Sequence, residues 1–333
     1  MPDTQDFDGG QAGRSPRVMW RAGAVVCSIL VLATWFGPGV APALATLPPT
    51  PSPGSLEPSH VTPALAGAAF TQGVEHFRAR RLPEAVAAFE RCVELRPEHR
   101  EAWLNLGSAW LLQRRFERSA EAFRRAIELD GRDVIAVTAL AKAYEQQGEL
   151  EDALEQWERA VEIAAADAGL HLALGRTLAR LGELTSAVDA YKEALRLEPG
   201  LASAWFNLGR AYARLGELAE EASERRRLTK QQQEAYTQTV TCDPSFAKAW
   251  YNLAITYFTQ GRVADEIGAL ESAVRARPDY PGALYNLAHA YEGTGDQARA
   301  LKTWTKYIRV SETDPAERKF VLEARKHLER LDP

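Results

Sequence analysis

Six histidines and three cysteines have the widest chemical range in this chain of 333 residues, and their spacing limits what they could do. His60, His76, His99, His171, His289 and His327 are scattered, and none falls in an H-E-x-x-H run that would set two imidazoles on one helix face around zinc. The cysteines, Cys27, Cys92 and Cys242, include no closely spaced pair of the zinc-binding kind. Cys92 and Cys242 lie too far apart along the chain for the ~7 Å Cα separation a disulfide tolerates, so both are expected to be small buried thiols. No glycine-rich phosphate loop occurs. Asp and Glu are numerous but fall on helix faces that read as solvated. The side chains therefore assemble no catalytic constellation, and the chain is expected to be non-enzymatic, with no cofactor and no metal.

The pattern that does organise the chain has a period of 34. Small residues recur at Gly73, Gly107, Ala141, Gly175 and Gly209. A second small set, Ala85, Ser119, Ala153 and Ala187, follows twelve positions later, and aromatic residues four beyond that, at Phe89, Phe123, Trp157 and Tyr191. A fixed period of this length is the signature of stacked helical hairpins. The unit from Ala168 to Leu201 is typical, with helices expected from about Leu170 to Leu181 and from about Leu184 to Leu197. Bulky residues at positions 4, 7 and 11 and a small one at position 8 share one helix face. The small residue admits the partner helix, whose aromatic fills the groove. Gly148, Gly182, Gly216, Gly261 and Gly295 mark the turn inside a hairpin, and Pro97, Pro199, Pro244 and Pro278 close units.

The expected fold is all-α, an α-α superhelical solenoid of about seven hairpins: 66–99, 100–133, 134–167, 168–201, 202–246, 247–280 and 281–314. The fifth carries eleven extra residues within EEASERRRLTKQQQEAYTQTV. Eleven is close to three helical turns and the segment lacks Gly and Pro, so one longer second helix is expected, with a charged tip around Arg225 to Gln233. The first unit is degenerate and reads as an N-terminal cap. Residues 315–333 read as a capping helix, opened by Asp314-Pro315-Ala316-Glu317 and striped by Phe320, Val321, Ala324, Leu328 and Leu331.

Ahead of the array, residues 1–45 are an extension plus an apolar segment. Arg14, Arg17 and Arg21 precede fifteen uncharged residues, 22–36, and Ala43-Leu44-Ala45 offers a cleavage site. Export to the periplasm, cell envelope or exterior is the expectation, with cleavage after Ala45. The alternatives are an uncleaved anchor through residues 22–36 and a buried helix. Met19 is an alternative start to Met1. Residues 46–65 are proline-rich and read as an extended tether. The net charge of −5 argues against a dedicated nucleic-acid binder.

The repeated grammar resembles that of the tetratricopeptide repeat family over about residues 66–314. The resemblance implies a superhelix whose first helices line a concave, protein-binding groove. It places positions 2, 5, 9, 12 and 13 of each first helix on that face. Lys142, Arg176, Arg180, Arg210, Arg214 and Lys248 would make it basic in the middle. Phe206, Tyr251, Phe258 and Tyr285 would make its C-terminal half aromatic. Asn207, Asn252 and Asn286, with Asn105, sit where an asparagine ladder holds peptide backbone in some members, although Ala139 and Ala173 interrupt it here. The Lys/Asn clamp that some chaperone-binding members use for a terminal carboxylate is not matched. The implied partner is a protein or extended peptide, acidic with an apolar anchor, and the membrane is touched only through an uncleaved N-terminal segment. The alternative is a structural subunit that docks through its convex face and the long fifth-repeat helix.

Overall fold

The computed structural model describes residues 58–331. Among them are fifteen α-helices, short 3-10 geometry and no strand. The hairpins are α1 (Pro58–Arg78) with α2 (Leu82–Leu95), α3 (Arg100–Leu112) with α4 (Phe116–Leu129), α5 (Val134–Gln147) with α6 (Leu150–Ile163) and α7 (Ala168–Leu181) with α8 (Leu184–Leu197). They continue as α9 (Ala202–Leu218) with α10 (Ala222–Cys242), α11 (Ala247–Thr259) with α12 (Val263–Ala276) and α13 (Pro281–Gly293) with α14 (Gln297–Ser311). A 3-10 turn, Pro315–Glu317, leads into α15 (Arg318–Leu331). From α2 onward each helix packs on the next in sequence order. Across neighbouring hairpins it is the first helices that approach each other, α3 with α5 and α7 with α9.

The small-to-aromatic pairing holds the hairpins together. A Cβ added to Gly73, Gly107 or Gly175 would fall 2.4, 2.6 or 2.6 Å from a ring atom of Phe89, Phe123 or Tyr191. The rings occupy the space that a side chain would need, and all three are buried. Burying each contributes roughly 1.5–3 kcal/mol. Ser119, one of the second small set, adds a bond across the hairpin, its hydroxyl donating to Gly107 O at 2.8 Å.

Hairpins are joined by a recurring staple. The indole N–H of Trp103, Trp205 and Trp250 at position 4 donates to the carbonyl of Pro97, Pro199 and Pro244 six residues earlier, at 2.8, 2.8 and 3.0 Å. In the fourth unit His171 takes the tryptophan's place and Ala165 the proline's, with Nε2 2.9 Å from the carbonyl. A carbonyl only accepts, so Nε2 carries the proton there. The residues before the four closing prolines, Pro97, Pro199, Pro244 and Pro278, are Arg96, Glu198, Asp243 and Arg277, and they leave the helix with φ between −145 and −134°. Asp130 and Ala164 turn out with the same sense at −145 and −136° where no proline follows. The absence of proline at Gly131 and Ala165 therefore leaves the junction intact.

Several expectations are corrected. The second helix of the fifth hairpin is continuous and longer than its neighbours, as expected, but it does not take up all eleven extra residues. α9 reaches Leu218 and α10 is 21 residues long, against 14 for α7 and α8. The addition is thus shared as about one turn on α9 and two on α10. Gly216 lies inside α9, and the chain reverses instead at Ala219, Glu220 and Glu221, where the backbone becomes extended. The other four marked glycines do adopt positive φ, 69 to 89°, and Arg80 and Arg114 hold that place in the first two hairpins at 60°. Helix α1 starts at Pro58 and includes Pro63, so residues 58–65 are not extended tether. At Pro58 the ring sacrifices no bond, because the first N–H groups of a helix have no partner, whereas Pro63, inside the second turn, forgoes one. Cys92 is buried as expected, but Cys242 is exposed, at the C-terminal end of α10.

The capping segment follows its sequence signature. The Asp314 carboxylate accepts from Ala316 N at 2.9 Å, and Val321 and Ala324 of α15 are buried against α13 and α14, with Phe320, Leu328 and Leu331 packed beside them. No helix among the described residues is long and apolar enough to cross a membrane. The expected signal or anchor, the alternative start and residues 46–57 of the tether lie outside the described residues.

Candidate functional site

The face made by successive first helices was built from the repeat register, and the side chains on it divide into open and closed. Arg176 and Arg180 of α7, Arg214 of α9 and Lys248 of α11 are exposed. Lys142 of α5 and Arg210 of α9 are half-buried. The Lys142 ammonium stands 5.9 Å from the centre of the Trp157 ring. Burial lowers its affinity for a proton, Glu145 opposes that, and Arg176 beside it adds to the lowering. Arg176 and Arg210 both act on the hydroxyl of Tyr191, which burial raises above the ordinary phenol range and the two guanidinium groups pull back. Lys142, Arg176 and Arg210 therefore form one electrostatically connected stripe across three consecutive first helices. Arg214 continues it, with its Nε 3.9 Å from the Glu217 carboxylate.

Glu145 is part of this face and was not singled out in the sequence. Its carboxylate accepts from Thr177 Oγ1 at 2.8 Å and from Trp157 Nε1 at 3.3 Å. The signal was available, since Glu145 is at position 12 of its unit, on the same face as Lys142. It limits the positive charge at the N-terminal end of the stripe.

The aromatic half is more closed than its register implied. Tyr251 is only 3% exposed, packed 5.1 Å from Tyr280, and is a core residue rather than a platform. Tyr285 is half-buried and meets Trp304, Tyr307 and Phe320 edge-on at 5.2 to 5.6 Å, the last contributed by the capping helix. Burial, followed by a hydrogen bond with Glu323, pushes its hydroxyl up to about 12. Phe206 leans on Phe246 at 4.8 Å and Tyr236 at 5.9 Å, with the Arg210 guanidinium 5.9 Å from its ring. Phe258, 51% exposed, is the member of the set that stays open. The reason is the tight stacking of hairpins, which lets a long ring at position 5 reach the neighbouring unit.

The asparagines are engaged within the array. Asn105 and Asn207 donate to the carbonyls of Glu101 and Ser203 one turn back, each at 2.7 Å. Asn252 and Asn286 donate to the hydroxyls of Tyr236 and Tyr251 at 3.4 and 3.3 Å. Each amide nitrogen uses one of its two N–H groups in these bonds. Of the histidines, His171 serves a junction, whereas His289 and His327, distant in sequence, come together with Glu292.

Comparison with known proteins agrees with this architecture. The family model described as "Tetratricopeptide repeat" matches residues 70–134, 233–281 and 267–317. That described as "TPR repeat" matches 141–182 and 175–216. No curated protein sequence matches the chain at a significant level. Among solved structures, the chain is similar to the C-terminal part of a TPR repeat-containing protein from Cytophaga hutchinsonii, with a TM-score of 0.61 at 12% identity over 78% of this chain and 99% of that one. It is similar to PilF of Pseudomonas aeruginosa, with a TM-score of 0.54 at 17% identity over 68% and 99%. YrrB, titled a TPR protein with an unusual peptide-binding site, matches with a TM-score of 0.48 at 22% identity over 61% and 98%. At such identities the likeness to solved structures concerns the fold alone. Taken with the 34-residue grammar, the ring-against-glycine hairpins and the sequential stacking, the family matches lead to one conclusion: this chain belongs to the tetratricopeptide repeat family.

Proposed function

We propose that the protein is a non-enzymatic interaction scaffold that holds an extended, acidic protein segment along the first-helix face. The observation that carries this reading is the stripe of Lys142, Arg176 and Arg210, continued by Arg180 and Arg214, in a chain whose net charge is −5. Positive charge kept on one face of an acidic protein steers and orients a negative partner. Arginine forks can take carboxylates two oxygens at a time. Phe258 supplies an open apolar contact for an anchor residue. The apolar run at 22–36 and the prolines after it support export, with the array tethered in or beyond the envelope.

The test is direct. Acidic peptides carrying one aromatic residue, titrated by fluorescence anisotropy, should bind the unaltered chain and lose at least tenfold in affinity with Arg176→Glu and Arg210→Glu together. Equal binding by the double variant would sink the reading. Binding of generic polyanions with a steep salt dependence would point to a nucleic-acid or glycan reader instead.

A second reading, a subunit that docks through its fifth hairpin, is favoured by one feature. An open notch of about 530 Å³ lies between α10 and the end of α11, lined by Arg225, Arg226, Lys230, Gln233, Thr259 and Gln260. Under this reading, removing the eleven extra residues abolishes partner capture while the arginine double variant retains it.

A further inference from the structure

At the junction of the last repeat and the capping helix, three metal-ligating side chains converge. His289 and Glu292 are three apart on α13, hence on one face. His327 comes from α15. Each offers one donor atom, and the three donors lie within 4.8 Å of one another. His327 Nδ1 is 2.7 Å from Glu292 Oε2, and His289 Nδ1 is 3.9 Å from the same oxygen. Bonds of about 2.1 Å to a tetrahedral zinc ion place neighbouring ligands about 3.4 Å apart. Of the three separations, the one from His327 to Glu292 is shorter than that, the one from His289 to Glu292 is longer by about half an ångström, and the one between the two histidines is within 4.8 Å. The His289 side chain, 38% exposed, has room to close the gap.

Two further features mark the cluster. The His327 ring is held in place, stacked on Trp304 at 4.9 Å and edge-on to His289 at 4.9 Å. Ligands oriented in advance by their surroundings bind metals more tightly. In addition, Arg330 Nη2 lies 2.8 Å from His327 Nδ1, the same nitrogen that approaches Glu292. A single nitrogen cannot accept from a guanidinium and donate to a carboxylate in one tautomer. A cation in place of the Arg330 group satisfies the nitrogen lone pair and the carboxylate at once, and Arg330, exposed in the last turn of α15, can swing aside.

We propose that His289, Glu292 and His327 bind one divalent transition-metal ion of the zinc class, which fastens the capping helix to the last repeat. Two imidazoles and a carboxylate are a donor set for Zn(II) and Co(II), with water at the fourth position.

The experiment uses the full chain, free of any affinity tag and stripped with chelator, titrated with Co(II) near neutral pH. A visible d–d band that saturates at one equivalent and is displaced by Zn(II) is expected. His289→Gln removes a ligand while leaving the His327–Glu292 contact that helps dock α15, and it should weaken binding at least tenfold, as should Glu292→Gln. His76→Gln, on α1, should leave it unchanged. Zn(II) should slow hydrogen exchange in α15 at least tenfold, because a ligand confined to the docked state stabilises it. No tetrahedral Co(II) band, or a band that persists undiminished in both His289→Gln and Glu292→Gln, overturns the proposal.

Discussion

Tyr236 sits against Gly209 as Tyr191 sits against Gly175: an added Cβ on either glycine would meet the ring at 2.6 Å. The chain takes eleven residues more to travel from Gly209 to Tyr236 than from Gly175 to Tyr191, yet it arrives in register. The addition is absorbed as near-whole turns, which return each helix to its original face.

Gly175→Ala should therefore destabilise the protein by about 1–3 kcal/mol, the usual penalty for forcing atoms into a packed core. The Tyr191 ring and Ala187 O crowd the site, so relief by movement is restricted. Chemical denaturation of the single variants and of the pair with Tyr191→Leu measures the coupling. The double variant should lose clearly less than the sum of the two single losses, and simple additivity would contradict the packing argument.

Deleting the eleven residues 219–229 should preserve the fold. Deleting nine from the same place should not, because each missing residue rotates the helix by about 100° and two residues out of step carry Tyr236 away from Gly209. Circular dichroism melts decide. The first variant should keep its helicity and a cooperative transition, and the second should lose the transition or melt far lower.

Asp133 is a joint between two units. Its carboxylate caps α5, accepting from Ile135 N at 2.9 Å and Ala136 N at 3.1 Å, and also takes a hydrogen bond from Arg100 of the preceding unit. Asp133→Ala should cost about 2 kcal/mol, more than a surface cap alone, because a half-buried guanidinium also loses the most buried of its carboxylate partners and keeps only Glu101 and Asp130. Arg100→Met should cost less, since the cap survives. A reversed order in urea melts would refute this assignment.

Glu266 stands where Ala85, Ser119, Ala153, Ala187 and Ala300 occupy the same place in other units, and it is 8% exposed. Burial raises its carboxyl above the ordinary carboxylate value of 4.5. A raised carboxyl binds more protons folded than unfolded, so the contribution of this one group to stability is fully present below its unfolded value and is lost as pH rises through the folded one. Glu266→Ala should raise stability at pH 7 by about 1 kcal/mol. It should also remove this contribution to the pH dependence. Melting curves of both forms between pH 4 and 8 would show the difference narrowing towards acid.

The repeat architecture was legible in the chain because it rests on local rules. Helical periodicity, the glycine facing an aromatic, the turn glycines and the capping aspartate at Asp314 act within one hairpin or one turn. The same register puts Lys142, Arg176 and Arg210 on successive first helices, where the basic stripe is proposed. What register cannot give is how far a side chain reaches into the next unit. Stacking buried Tyr251 and half-covered Tyr285, turned Glu145 into the basic stripe, and replaced a tryptophan by His171 without losing the junction bond. It also divided the eleven extra residues between two helices, because a hairpin lengthened on both arms keeps them paired, whereas one long arm leaves its tip unpacked. His289 and His327 met only when the capping helix closed over the last repeat. The sequence by itself determined the hairpins and their order, through contacts a few residues apart. The tertiary structure alone decided which groups lie open and which meet, since that depends on the packing of one unit against another.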